Sequence, residues 1–254
     1  MTLADALGVT GAEVVALVGG GGKSTAMFRL ARELVDKGGQ AITTTTTKIF
    51  GAQIALSPAH VLAEDVTRER VAAALGAHGQ VLVIGATDAE TGKAEGVSVE
   101  LFQRLRAWFP RVGILNEADG SRMRPFKAPA GHEPVIPHET TLVVVVVGAD
   151  TLGKPLDSDH VHRPELVAVL CGVPLGTRIT PEIVARVLAH PEGGRKGVPA
   201  GARVVALINK VDGLADRTVA RETAECLLRE RGIQSVVLAA VRAEEPVLEV
   251  VSRT

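Results

Sequence analysis

Short valine-rich runs alternate along the chain with longer segments in which apolar residues return every three or four positions. The short runs predict strands at Val14–Val18, Ala41–Thr45, Val81–Ile84, Val112–Asn116, Thr141–Val147, Val204–Ile208 and Ser235–Leu238. Continuous apolar runs of this length suit strands buried on both faces, as in a parallel sheet whose crossovers are helices. The periodic segments predict helices at Ser24–Asp36, Thr67–Leu75, Val99–Trp108, Pro164–Leu170 and Arg217–Arg231, with another starting at Thr180. In the first of these Met27, Leu30, Ala31, Leu34 and Val35 share one face and Gly38-Gly39 ends it, glycine being the residue that tolerates a left-handed cap. Thr180 followed by Pro181 is a helix start, because proline fits the first helical position. The expected fold is α/β, with a mostly parallel sheet and helices on both faces.

Residues 119–162 break this rhythm: Pro125, Pro129, Pro134, Pro137 and Pro155 surround one clear strand. Long ordered loops are expected there, in a loop-rich edge region of the fold, where binding sites concentrate. With 254 residues the chain is expected to form one domain over 1–254, residues 119–163 serving within it as a substrate or switch region. Charge is balanced, 28 Lys and Arg against 29 Asp and Glu, and the aromatics are 5 Phe, 1 Trp and no Tyr. Neither a basic footprint nor a stacking platform is available, so nucleic acid is not an expected partner. Apolar runs such as Leu142–Val147 fall far short of the roughly 18 residues that cross a bilayer, and no basic residue precedes Lys23, so a cytoplasmic chain without a membrane partner is expected. Cys171 and Cys226 have no CxxC partner and no cationic helix start beside them, which argues against a reactive thiol.

The sharpest local signal is Gly19, Gly20, Gly21, Gly22, Lys23, Ser24, Thr25, placed between the first strand and the first long helix. Bare glycines let backbone N–H groups approach phosphate oxygens, and the helix start adds partial positive charge. Lys23 is expected to reach the terminal phosphates and the Ser24 hydroxyl to ligate magnesium. Leu17 stands where GxxxxGK(S/T) needs its first glycine, whereas the shorter GxxGK(S/T) spacing is met and resembles the loop of Mur-type amide ligases. The fold expectation sharpens to a three-layer P-loop NTPase-like domain.

Two further signals lie at strand ends. Asn209, Lys210, Val211, Asp212 follows the Val204–Ile208 strand and resembles the NKxD motif of GTP-binding proteins. There Asp212 would accept two hydrogen bonds from guanine, Asn209 would tie the base-binding loops together, the Lys210 stem would cover the ring, and a backbone amide from Leu238, Ala239 or Ala240 would meet the guanine carbonyl. Glu117 and Asp119 follow the Val112–Asn116 strand. Magnesium takes one or two carboxylates among hard oxygen ligands, so Asp119 with Ser24 is expected to hold the metal while Glu117 orients water, or the two acids exchange these roles. Lys23, Glu117 and Asp119 are thus the candidate catalytic set. The hydroxyls of Thr45, Thr46 and Thr47 emerge at the same edge and are candidates for phosphate or magnesium contact.

Together GGGGKST, TTTTTK, NEADGSRMRPFKAP, HEPVIP, HVHRPE and INKVDG resemble the YqeC family over most of the chain, from about Val14 to Leu238. The resemblance implies a P-loop accessory protein in biosynthesis of the selenium cofactor of selenium-dependent molybdenum hydroxylases; the motifs themselves point to Mg2+ with GTP or ATP as cofactors, and a client enzyme or cofactor-maturation protein is the expected partner. The matching positions are Lys23, Ser24, Glu117, Asp119, Arg122, Lys127, His132, Glu133, His162, Arg163, Asn209, Lys210 and Asp212. Chemically, Arg122, Arg124 and Lys127 are candidates to receive an anionic substrate. His162 and Arg163 suit a loop packed near the nucleotide, His132 with Glu133 an ordered loop pair, and Gly193–Gly197 a lid or a turn. A metal cluster of Asp157, Asp159, His160 and His162 is disfavoured by crowding. The expected function is a nucleotide-hydrolysing maturation factor; the alternatives are an ATP-dependent ligase or kinase acting on a small cofactor precursor, and a nucleotide-binding module without catalysis.

Overall fold

A computed structural model describes residues 1–88 and 90–253. Its main sheet has nine strands: β1 (Val14–Gly19), β2 (Ala41–Thr45), β3 (His60–Leu62), β4 (Gln80–Ile84), β5 (Gly113–Glu117), β6 (Leu142–Gly148), β7 (Arg203–Asn209), β8 (Ser235–Ala239) and β9 (Val247–Ser252). They lie in the order β9-β8-β7-β6-β1-β5-β2-β4-β3. Every neighbouring pair is parallel except β8 with β9. The helices are α1 (Leu3–Leu7), α2 (Lys23–Asp36), α3 (Arg68–His78), α4 (Val99–Trp108), α5 (Pro164–Cys171), α6 (Pro181–Ala189) and α7 (Thr218–Arg229).

Side chains alternate across a strand, so each central strand feeds two cores. Val15 and Leu17 of β1, with Val144 and Val146 of β6, pack under α1 and α2 through Leu3, Leu7, Met27, Leu30 and Leu34. On the opposite face Ala16, Val18, Val143, Val145 and Val147 meet α5, α6 and α7, while Val14, Ile42, Val81, Val83 and Ile114 meet α3 and α4. Burying each Val, Leu or Ile side chain contributes about 1.5–3 kcal/mol. The result is a three-layer α/β fold in which β1 runs through the glycine loop into α2. Among the described residues no helix is long and apolar enough to cross a membrane.

Register places the chemistry. β1 lies between β5 and β6, with Leu17 opposite Glu117 and Gly19 opposite Val146. Thr45 stands opposite Glu117, and Gly148 opposite Asn209. The ends of β1, β2, β5, β6 and β7 therefore open on one edge of the sheet, where ligands of open α/β sheets bind.

Each of the seven sequence-predicted strands is present within a residue or two of its expected bounds. β3, β9 and α1 are additional. β9 escaped notice because VLEVVS is an antiparallel, half-exposed edge strand rather than a buried run. Residues 119–163 are not one loop region: β6 runs through their middle as a central strand, and the segments on either side of it, 119–141 and 149–163, form an ordered strap over the strand ends. Its two arms meet where Phe126–Lys127 pairs in parallel with Val161–His162, and buried Phe126, Ala128, Leu156 and Val161 fasten it to the core. Ile49–Phe50, Lys93–Ala94 and Thr87–Asp88 form a small antiparallel sheet.

Candidate nucleotide site

Gly19, Gly21 and Gly22 have φ of 98°, 79° and 118°. A Cβ at Gly19 would stand 2.3 Å from the Val146 carbonyl oxygen, and one at Gly21 2.1 Å from the Gly148 nitrogen. Both conformation and space require glycine there. The first amides of the run are engaged within the protein: Gly20 N–H donates to Val146 O at 2.9 Å and Gly21 N–H to Arg124 O at 3.2 Å. The glycines thus lash the loop to β6 and the strap. The N–H groups left without an intrahelical acceptor are those of Lys23, Ser24 and Thr25 in the first turn of α2, whose first helical bond runs from Ala26 N to Gly22 O.

Lys23 is buried, with its ammonium 2.6 Å from Gly19 O, 3.3 Å from Asp119 Oδ1 and 3.5 Å from Glu117 Oε1. Burial pulls its pKa down, but Asp119 and Glu117 outweigh burial and hold the ammonium above the ordinary lysine range. Ser24 Oγ donates to Glu117 Oε2 at 2.5 Å and accepts from Gln53 Nε2 at 2.8 Å. The carboxylate that faces Ser24 is therefore Glu117. Asp119 lies beneath the loop, accepting Gly19 N–H at 3.0 Å and standing 3.0 Å from Lys127 Nζ.

Lys127 carries this charge pattern across the strap. Its buried ammonium donates to Gly120 O at 2.7 Å and to Glu133 Oε1 at 2.6 Å, and Arg163 Nη1 closes on the same Glu133 oxygen. Burial pushes Glu133 up, yet Lys127, the Ala130 N–H and Arg163 together hold it below the ordinary carboxylate range. Lys23, Asp119, Lys127, Glu133 and Arg163 thus form one chain of alternating charge from the glycine loop to the strap. Lys127, expected as an anion receptor, is fully occupied in that chain.

Asn209 bridges as its position in NKxD suggests: Nδ2 donates to Gly21 O at 2.8 Å, and Oδ1 accepts Val241 N–H at 3.0 Å. Arg29 of α2 fixes the same turn through Ala243 O at 2.6 Å and Glu244 O at 2.8 Å. Lys210, at φ 64°, pairs with Asp150 at 2.7 Å, and Asp212 follows it on an exposed turn. The amide that sequence assigned to Leu238, Ala239 or Ala240 needs correction. Leu238 and Ala239 belong to β8, and Ala240 N–H is held by Pro246 O at 2.8 Å.

Lys23, Ser24, Gln53, Glu117, Glu133, Arg163 and Lys210 open on a cleft of about 720 Å³, whereas Asp119, Lys127, Asn209 and Asp212 do not line it. Its lining includes Lys23, Lys48, Lys93, Arg122, Arg163, Lys210 and Arg242 against only Glu117 and Glu133. A cationic cleft in a chain of net charge −1 is a concentrated field for a polyanion. Arg122, Met123, Arg163 and Lys210, at φ of 49°, 64°, 62° and 64°, are the non-glycine residues with positive φ among the described residues, and all four line it. Such strain persists where surrounding structure over-determines it, commonly at functional sites.

Other predicted residues fall on both sides of the boundary. Thr47, His132 and His162 line the cleft. Thr45 instead braces the backbone by donating to Glu117 O at 2.9 Å, and Thr46 donates to Val135 O at 2.7 Å. Asp157 Oδ1 holds His160 Nδ1 at 2.7 Å and caps its own turn, and among the described residues no group of three or more His, Cys, Asp or Glu is arranged to hold a metal. Gly193–Gly197 is a turn behind the strap rather than a lid, with Lys196 donating to Ala130 O at 2.7 Å. Gln53, Lys93 and Arg242 were missed, lying in a 3-10 turn, a two-residue strand and a turn too short to leave a pattern in the sequence. Asp150 was missed too, although it follows a strand end next to β1 just as Asp119 does.

Similarity to solved structures is loose. The hydrogenase maturation factor HypB from Archaeoglobus fulgidus aligns over 95% of this chain and 87% of its own, at 13% identity and a TM-score of 0.40. The signal recognition particle receptor FtsY from Elizabethkingia anophelis aligns over 89% and 58%, at 12% identity and a TM-score of 0.38. Sequence similarity is firmer: YqeC of Escherichia coli (strain K12) is 33% identical over 208 residues, covering 78% of this chain and 75% of that protein. Residues 15–165, which run from β1 through the strap and carry Lys23, Glu117, Lys127 and Arg163, match the model of the YqeC protein family, and to that family this chain belongs.

Proposed function

We propose that the cleft binds a nucleoside triphosphate with Mg2+ and hydrolyses it, guanine being preferred over adenine. The observation that carries this reading is the convergence of Lys23, Ser24 and Glu117 at the first turn of α2. Oxygen donors 2.5 Å apart on Ser24 and Glu117 form the hard ligand pair that magnesium takes, so we assign the metal to these two rather than to Ser24 with Asp119. Magnesium supplies charge neutralisation on the phosphates when bound. The Lys23, Ser24 and Thr25 amides would receive phosphate oxygens, and Lys23 would turn from Gly19 O to the terminal phosphate. Asp119, engaged by Gly19 and Lys127, keeps the loop in shape. For the base, Asn209 braces Gly21 and the Val241 turn, and the exposed Asp212 carboxylate supplies the acceptor pair for guanine.

The cellular role we infer is accessory to maturation of the selenium cofactor of molybdenum hydroxylases, acting on a client enzyme or maturation protein. Burial raises the pKa of both Cys171 and Cys226, the latter helped by Glu182, so neither thiol is poised to carry selenium. This supports a role exercised through nucleotide. The ligase or kinase reading draws support from the extension of the cleft past the glycine loop to Arg122 and Arg163.

Calorimetry with GTP, ATP and XTP, each with Mg2+, followed by phosphate release, tests the reading. GTP should bind most tightly, and equal or tighter ATP binding overturns the guanine assignment. Asp212→Asn should shift preference toward xanthosine by about tenfold or more, because an amide offers a donor where the carboxylate accepted; competition between GTP and XTP reads the shift. Glu117→Gln should weaken magnesium dependence of turnover more than nucleotide binding, and unchanged magnesium dependence in that variant returns the metal to Asp119.

A further inference from the structure

We propose that the strap carries a second anion subsite, separate from the glycine loop, in which Arg122, Arg163 and His162 receive a phosphate-type oxyanion. The subsite rests on the nucleotide reading only for its role as the neighbour of a triphosphate. Its residues belong to the strap and border the same cleft as the loop.

Three arginines, Arg122, Arg124 and Arg163, line a hollow of about 430 Å³ together with His162 and Ser158. The hollow and the main cleft share Arg122, His162 and Arg163, so an anion there lies beside the nucleotide cleft. The pairing of Phe126 with Val161 and of Lys127 with His162 brings the arm bearing Arg122 and Arg124 against the arm bearing His162 and Arg163. Arg163 is anchored through Glu133 to buried Lys127. Arg122, Met123 and Arg163 are held in left-handed backbone, which persists where the surrounding structure imposes it. Opposing negative charge comes from Glu133, bound to Arg163, from Asp159, 3.9 Å from Arg124, and from Glu165, which also lines the hollow, so three arginines face three carboxylates of which one is already engaged with Lys127. Several planar forks beside an imidazole suit a tetrahedral oxyanion with acceptors on every side.

His162 reports on this field. Burial, then Arg163 and Lys127, lower its pKa to about 4, with Arg122 adding to them and Glu133 opposing. An anion seated among these cations cancels part of their potential and must draw the His162 pKa upward.

The test is NMR titration of the His162 ring in the full chain without nucleotide, using inorganic phosphate in one arm and glycerol 3-phosphate in the other. We expect a saturable rise of the His162 midpoint by about one unit. Saturation at lower concentration with the ester identifies an organic phosphate as ligand, and at lower concentration with phosphate identifies the free anion. Arg122→Gln, an exposed change that does not threaten folding, should weaken the response about tenfold. The rise should persist in Lys23→Ala, so this subsite stands or falls separately from the nucleotide site. Absence of a saturable rise in both arms overturns the proposal, as does a rise equal in Arg122→Gln and the native chain.

Discussion

Lys23→Ala is expected to reduce affinity for a magnesium nucleoside triphosphate by a factor of about 30–5000, the range that follows from about 2–5 kcal/mol for removing one partner of a buried charge pair. Two effects act in the same direction. The ammonium that would meet the terminal phosphate is lost, and Glu117 and Asp119, 3.5 Å and 3.3 Å from it, remain as uncompensated negative charge beside the phosphate seat. Lys23→Met separates these effects from cavity formation, since it keeps the stem and removes only the charge. Both variants should lose heat of binding in calorimetry while circular dichroism retains the α/β signature. Undiminished affinity in both would remove the loop from the binding site.

The pH dependence of this contact has a definite sign. Because the folded Lys23 pKa lies above the ordinary 10.5, its contribution to folding is complete below 10.5 and is lost only as pH rises through the higher folded value. Loss of nucleotide affinity between neutral pH and pH 9 therefore has to arise from other groups.

What could be foreseen from sequence follows from how local each feature is. The glycine loop was legible because its signal is contiguous: a strand, four glycines, Lys23 and Ser24, then a helix. The parallel core strands were legible because burial on both faces leaves no polar position to blur them. Glu117 and Asp119 were both visible as acids beyond a strand end, but their division of labour was not. That is decided by side-chain direction at adjacent turns, where Glu117 faces Ser24 and Asp119 turns under Gly19. Thr45 and Thr46 looked available because hydroxyls at a strand end usually are, yet the backbone at Glu117 and Val135 claims them first. The cationic wall formed by Lys93, Arg242 and the strap was invisible for a different reason. It is assembled from segments far apart in sequence, and overall charge balance hides a local concentration of one sign.

Lys127 shows the same limit and supports the second large prediction. In sequence it is one cation of a basic loop; in the fold it is buried with Asp119, Glu133 and Gly120 O around it. Removing one member of such a network leaves buried charge unpaired, at about 3–5 kcal/mol. Lys127→Met should fall near the lower end, because Asp119 keeps Lys23 and the Gly19 N–H while Glu133 keeps Arg163 and the Ala130 N–H. At this chain length about 3 kcal/mol corresponds to a Tm lower by roughly 6–12 °C. Glu133 supplies the sign of the pH dependence: its folded pKa is depressed, so its contribution is present above the unfolded value of 4.5 and is lost as pH falls through the lower folded value. The stability gap between native chain and variant should therefore narrow on acidification below about 4.5, and a gap independent of pH would assign the loss to packing alone. A second measurement separates positioning from bulk destabilisation. Lys127 is one of the cations that depress His162, so the His162 midpoint should rise above about 4 in the folded variant, which general loosening of the core would not produce. An unchanged midpoint would mean that the charge chain ends before it reaches the strap wall.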